Sequence, residues 1–159
     1  MTATDKPQHP ALASESPAPL VWRSAFESGF TDVDNEHREL FDLANGLLKL
    51  AGNYSSNPNA FNNALGDFML HLQRHLKHEE AFMREIGYID AQEHALMHRE
   101  IVGRAVFMRQ QLDDGRGTLE QWVSFVANEV IAAHLLREDR KFFQTVTQSI
   151  EKEKLKRAK

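Results

Sequence analysis

Residues 68–87, FMLHLQRHLKHEEAFMREIG, set histidines and glutamates among large apolar side chains at helical spacing. At about 100° per residue with His75 as zero, Phe68 falls near +20°, Glu79 near +40°, Phe82 near −20° and Ile86 near +20°. His75 and Glu79 therefore lie inside an apolar stripe, on the face that a helix turns towards a core. Glu80, near about +140°, points outward, while His71 and His78, near about −40° and −60°, sit at the edge of that face. Pro58, suited to a first helical turn, and Gly87 bound this helix to about residues 58–86.

The same pattern extends in both directions. Leu40, Phe41, Ala44, Leu47, Leu48 and Ala51 predict a helix over about 35–51, and His37 continues the stripe backwards. Asp90 followed by Glu93 resembles a capping box, and Ala91, His94, His98, Ile101, Ala105, Met108 and Leu112 form the stripe of a third helix. Thr118 with Gln121 is a second capping box, opening a helix that reaches about Ile150. Four helices with short connections and no alternating strand pattern predict an all-α fold, an antiparallel up-down-up-down four-helix bundle. Residues 1–20, which hold four of the five prolines, are expected to be a flexible N-terminal arm. Trp22, Phe26, Gly29 and Phe30 form a lead-in along the outside, the bundle occupies 21–150, and 151–159 is a charged C-terminal tail.

Composition narrows the chemistry. Nineteen Lys and Arg against 23 Asp and Glu leave a net charge of −4 with no basic block to follow a phosphate backbone, which argues against nucleic acid. The chain has no cysteine, so a metal here sits on nitrogen and oxygen. No apolar run approaches the roughly 20 residues of a membrane span and no signal peptide is visible, so the expectation is a cytoplasmic protein without membrane insertion.

One inward histidine is more often a hydrogen-bonded core residue than a ligand. Five of them, His37, His75, His94, His98 and His134, together with Glu79, would cost several kcal/mol of desolvation (~3 or more) that metal coordination offsets directly. The fourth helix adds a slip in phase. Val123, Ala127, Val130 and Ile131 cluster near the direction of His134, whereas Leu135, Phe142, Val146 and Ile150 lie roughly 80° to 160° round. A one-residue widening of the π-bulge type between His134 and Asp139 restores the phase and turns Asp139 inward; an unbroken helix would turn Glu138 inward instead. The expectation is Asp139 inward and Glu138 outward. Five imidazoles and two carboxylates exceed one ion of four to six coordination, so two metals are implied, iron or manganese before structural zinc.

His37 in the frame Asp34-Asn-Glu-His, His75-x3-Glu79-Glu80 with Met83 and Tyr88 following, His94-x3-His98 and His134-x4-Asp139 resemble the hemerythrins, specifically the bacterial hemerythrin-like domain. The resemblance runs from about Trp22 to Phe143, and the four-helix bundle is the architecture already known for that family. It implies two non-haem iron ions with an oxo or hydroxo bridge. His94, His98 and His134 would hold one iron, His37 and His75 the other, and Glu79 and Asp139 would bridge them, with dioxygen bound reversibly at the second iron. Three positions depart from the family pattern: Val130 stands where Trp is usual, Ile89 where Pro is, and Leu135 where Ile is. The smaller Val130 is expected to open a path for solvent or ligand.

The function expected from this resemblance is reversible dioxygen binding, for carriage, storage, delivery or sensing, rather than catalysis. The alternative is a di-iron redox enzyme acting on peroxide or nitric oxide. Ferritin-like oxidases use Glu-x-x-His pairs, and none occurs in this sequence. The expected partners are dioxygen and an oxygen-accepting or signalling protein, with the chain itself a monomer.

Overall fold

Asn57 accepts a hydrogen bond from the Ala60 N–H and Pro58 fills the first helical position, so the helix carrying His75 starts where sequence placed it. The computed structural model describes residues 18–157. The elements are a 3₁₀ turn (Ser24–Phe26), α1 (Thr31–Ala51), α2 (Pro58–Glu85), α3 (Ala91–Asp113), α4 (Leu119–Ser124), a π-helical segment (Phe125–Asp139) and α5 (Arg140–Arg157). The last three follow one another with helical backbone at each junction and form a single fourth rod. There is no β-strand among the described residues, and none of their helices is long and apolar enough to cross a membrane.

Two turns fix how the rods follow one another. After α2, Gly87 has φ 66°, its N–H bonds Arg84 O, and the Tyr88 N–H bonds Met83 O at 2.9 Å. Gly115, with φ 70°, ends α3 in the same way, with Gly115 N–H on Leu112 O and Arg116 N–H on Gln111 O. Both are left-handed C-terminal caps that satisfy otherwise orphaned carbonyls, and at such a φ a side chain is strained. Thr118 then forms the expected capping box with Gln121.

The apolar side chains fall into two separate clusters. The larger joins Leu40–Ala51, Phe61–Leu76, Ala105, Leu112 and Leu119–Leu135; the smaller joins Met83, Phe142, Phe143 and Val146 with Phe30, Val33, Phe82, Tyr88 and Ala91 against them. Along the chain, α1 runs from the smaller cluster to the larger, α2 returns, α3 goes back and the fourth rod returns again. That alternation is the antiparallel up-down-up-down bundle. On each rod the crossing between clusters is where a buried histidine stands.

Four local expectations change. Asp90 has φ −97° and ψ 16° and makes no side-chain cap, because it lies in the turn tightened by Gly87 and not in the extended conformation capping requires. Ile86, read as inward, caps the end of α2 and is 42% exposed, since the helix stops before its stripe reaches that position. Helix α1 begins at Thr31 rather than near 35, with Asp34 buried and accepting from the Ser28 N–H at 2.7 Å. The fourth rod continues past Ile150 to Arg157, so residues 151–157 of the expected tail are exposed helix.

The lead-in lies against α1. Leu20 exchanges backbone hydrogen bonds with the Asn45 side chain, and Trp22 meets Phe41 edge-on at 5.2 Å with the Arg38 guanidinium 5.2 Å over its ring. Residues 1–17 of the expected arm lie outside the described residues. Thr118→Ala removes both hydrogen bonds of the capping box and is expected to cost about 1 kcal/mol. Thermal denaturation of the metal-stripped protein should register it as a fall of about 3 °C.

Candidate metal centre

Between the two apolar clusters, all four rods turn polar side chains to one place. Glu79, His94, His98, His134 and Asp139 form one buried group in which the facing donor atoms all lie within 4.8 Å of one another; His37, His75 and Asp139 form a second group of the same kind. Asp139 belongs to both. Its Oδ1 lies 3.1 Å from His94 Nε2 and 3.2 Å from His134 Nε2, while its Oδ2 lies 3.6 Å from His37 Nε2 and 3.7 Å from His75 Nε2. Glu79 Oε2 lies 3.2 Å from both His94 Nε2 and His98 Nε2. All seven residues singled out from the sequence thus meet in one layer.

Hydrogen bonding within the layer is incomplete. His37 Nε2, His75 Nε2, His98 Nε2, His134 Nε2, Glu79 Oε1 and Asp139 Oδ2 are buried without a hydrogen-bond partner. Burying so many unpaired polar atoms costs several kcal/mol, roughly 1–3 for each, and the orphans all belong to good metal donors. The donor set, five imidazole nitrogens and two carboxylates without sulfur, fits iron or manganese.

Two carboxylates outside the layer aim the rings. Glu36 accepts from His75 Nδ1 at 2.9 Å and Glu80 accepts from His98 Nδ1 at 3.0 Å, which leaves each Nε2 as the inward lone pair. Sequence reading passed over both. Glu80 was read as pointing outward, and it does lie outside the layer, half-buried, but reaches across to α3. The signal was available: ligating histidines usually give their second nitrogen to a carboxylate, and Glu36 and Glu80 directly adjoin His37 and Glu79. Of the edge histidines, His78 shares Glu36 with His75 through a 2.6 Å contact, whereas His71 bonds the Asp67 carbonyl of its own helix and lies 3.8 Å from Glu39, away from the layer.

The phase slip is real and longer than a bulge. The π-helical segment covers Phe125–Asp139, starting well before His134, and its buried positions Phe125, Val126, Val130, Ile131, His134, Leu135 and Asp139 recur at four and five residues. Hydrogen bonds of the i→i+5 kind place residues at that spacing on one face, so His134 and Asp139 both point inward. Glu138 faces out and pairs with Arg137 at 2.8 Å and Lys141 at 3.4 Å. Val130 is fully buried and lines neither the cleft at His134 nor the cleft at His75 and Glu79.

A family model for the hemerythrin HHE cation binding domain matches residues 28–146, a span that contains every residue of this layer. The chain belongs to the hemerythrin family. A bacteriohemerythrin of Clostridium acetobutylicum is 29% identical over 127 residues, covering 77% of this chain and 98% of the relative. A myohemerythrin of Riftia pachyptila is 28% identical over 113 residues, 70% of this chain and 88% of the relative. A hemerythrin-like protein of Naegleria gruberi is 27% identical over 112 residues, 70% of this chain and 87% of the relative.

Without metal, this hemerythrin-family layer is a proton-sharing cluster. Burial presses the His75 imidazole down, but the carboxylates of Asp139 and Glu36 beside it outweigh that and raise it to about 10. His94 behaves likewise, depressed by burial and raised by Asp139 and Glu79 to about 9. His134 is pushed down to about 4 by burial, against the pull of Asp139 and Glu79 and with the help of His98 and His94. Burial works to raise Glu36, and its bonds from His75 and His78 hold it at about 2. Burial also opposes the charge on Asp139, and the imidazoles around it hold it well below the usual carboxylate range.

The signs give a peaked stability profile for the metal-stripped protein. Between pH 6.5 and 4 the unfolded chain takes up a proton at His134 that the folded chain refuses, so stability falls with falling pH. The contributions of His75 and His94 are full below pH 6.5 and are lost as pH rises through about 9 and about 10, where the folded chain must give up its extra protons. Melting temperature against pH should therefore peak near 6.5, and metal loading, which requires neutral imidazoles, should abolish the alkaline decline. Asp139→Ala should reduce metal content by metal analysis far more than Glu138→Ala; the reverse order would reject the inward placement of Asp139.

Proposed function

We propose that the chain binds dioxygen reversibly at a non-haem di-iron centre, with His94, His98 and His134 on one iron, His37 and His75 on the other, and Glu79 and Asp139 between them. The observation that carries this reading is the unequal donor count. Five donors face one position and three face the other, with Asp139 common to both. The five-donor group leaves an ion of about six-fold coordination little room beyond a bridging oxygen. His37, His75 and Asp139, even with the unpartnered Oε1 of Glu79 added, leave the second ion a position for a small external ligand.

When bound, the iron pair supplies electrons to dioxygen and recovers them on its release. The chain does the rest. Neutral imidazoles bring ligation without negative charge, and Glu36 and Glu80 hold two of them in the required tautomer. Trp22, 6.3 Å from His37 and edge-on to Phe41, and Phe142, 6.2 Å from His94, set apolar rings against two sides of the layer. The hemerythrin-family membership and the names of the relatives support binding over catalysis.

The test is iron content together with visible absorption of the reduced protein under nitrogen, after admitting oxygen, and after removing it. The expected outcome is two irons per chain and a charge-transfer band that comes and goes with oxygen. Immediate irreversible oxidation would replace this reading with redox chemistry on peroxide or nitric oxide, and a chain that binds no iron would overturn it.

A further inference from the structure

Among the described residues, two clefts that reach the metal layer from outside differ in charge. One, of about 580 Å³, opens at Thr31 and Asp32 at the start of α1, passes Glu36 and His78, and has His75 and Glu79 at its floor; no Lys or Arg lines it. The other, of about 270 Å³, lies between α3 and the π-helical segment and touches His134. Arg104 and Arg137 line that second cleft, paired with Glu129 at 2.7 Å and Glu138 at 2.8 Å. A divalent ion with six waters occupies about 200 Å³ at ~30 Å³ per water, so size admits it to either cleft. Charge separates them by degree: the first cleft carries Asp32, Glu36 and Glu79 with the His75 and His78 imidazoles and no guanidinium, whereas in the second Arg104 and Arg137 offset two of the three carboxylates Glu100, Glu129 and Glu138, so the first concentrates cations more strongly.

The first cleft also leads to unmet donors. Glu79 is buried with Oε1 lacking any partner, and His75 Nε2 is likewise buried and unpartnered. On the way in stand Asp32 and Glu36, one helical turn apart on the same face of α1, and His78, whose side chain is 60% exposed. We propose that this cleft is the port through which the divalent metal ion reaches the centre, with Glu36 and His78 as its first holding point before Glu79 and His75. The inference rests on the metal-binding reading above and adds the route.

The test mixes Co(II), as an optical probe, with metal-stripped protein in a stopped-flow instrument at low and high salt. Asp32→Lys and Glu100→Lys alter net charge equally, each at an exposed lining residue of one cleft. Asp32→Lys should slow uptake about three- to tenfold at low salt, an effect that shrinks as salt rises, while Glu100→Lys leaves the rate unchanged. Thr31→Trp, which narrows the mouth without altering charge, should slow uptake at every salt concentration, and His78→Ala should slow it by removing the holding point. Final cobalt stoichiometry and melting temperature, recorded for every variant, separate slow uptake from unfolding. Equal rates for Asp32→Lys and Glu100→Lys, or slower uptake by Glu100→Lys, overturn the port even when the final stoichiometry is full. Failure of the native chain to bind cobalt or iron at all overturns the metal-binding reading itself.

Discussion

The structure depends on one awkward act of burial. Five imidazoles and two carboxylates cross the interior as a layer, and the apolar side chains divide into a cluster on either side of it. A layer of that kind is costly in the interior unless its nitrogen and oxygen atoms are satisfied together, and hydrogen bonds leave six of them unpaired. Rod positions, ring tautomers and the rim carboxylates Glu36 and Glu80 all follow from the need to hold that layer in register. The apolar clusters clamp each rod above and below the crossing and so fix where its donor stands.

The fourth rod shows the constraint acting on backbone. Phe125, Val126, Val130, Ile131, His134, Leu135 and Asp139 are all buried on one rod. Those positions do not share a face at 3.6 residues per turn. Widening the hydrogen-bond pattern brings them onto one face, and α-helical geometry resumes at Arg140 once Asp139 has been delivered. The π-helical stretch is therefore the local backbone solution to placing two donors five residues apart against the same centre.

This also explains what the sequence made readable. The inward places of His37, His75, Glu79, His94, His98 and His134 followed from stripes with ordinary helical period, and the four-rod architecture followed from the same stripes. Asp139 was readable only as a slip in that period, and the length of the π-helical segment was hidden because apolar spacing reports that phase changes, not over how many residues the change is spread. Asp90 and Ile86 were misread for a common reason: both belong to the Gly87 turn, whose left-handed backbone sets their direction regardless of pattern. Glu36 and Glu80 escaped because a carboxylate on a helix edge looks solvated until the neighbouring rod is in place.

Every donor in the layer comes from within a rod, and none comes from a connection. The stretches Asn53–Asn57 and Asp114–Gly117 hold the rods in sequence but contribute nothing to the centre. An insertion at either place would leave the donor set itself unchanged. The tight link from Gly87 to Asp90 has less freedom, because Tyr88 anchors it in the smaller apolar cluster, and within Asn53–Asn57 the Tyr54 ring, edge-on to Phe61 at 5.3 Å, and the Asn57 cap of α2 are tied in the same way. Tolerance to change in such a chain is set by the distance of a connection from the apolar clamps, and the Asp114–Gly117 turn, which places no side chain in either cluster, is where a lineage could attach new parts.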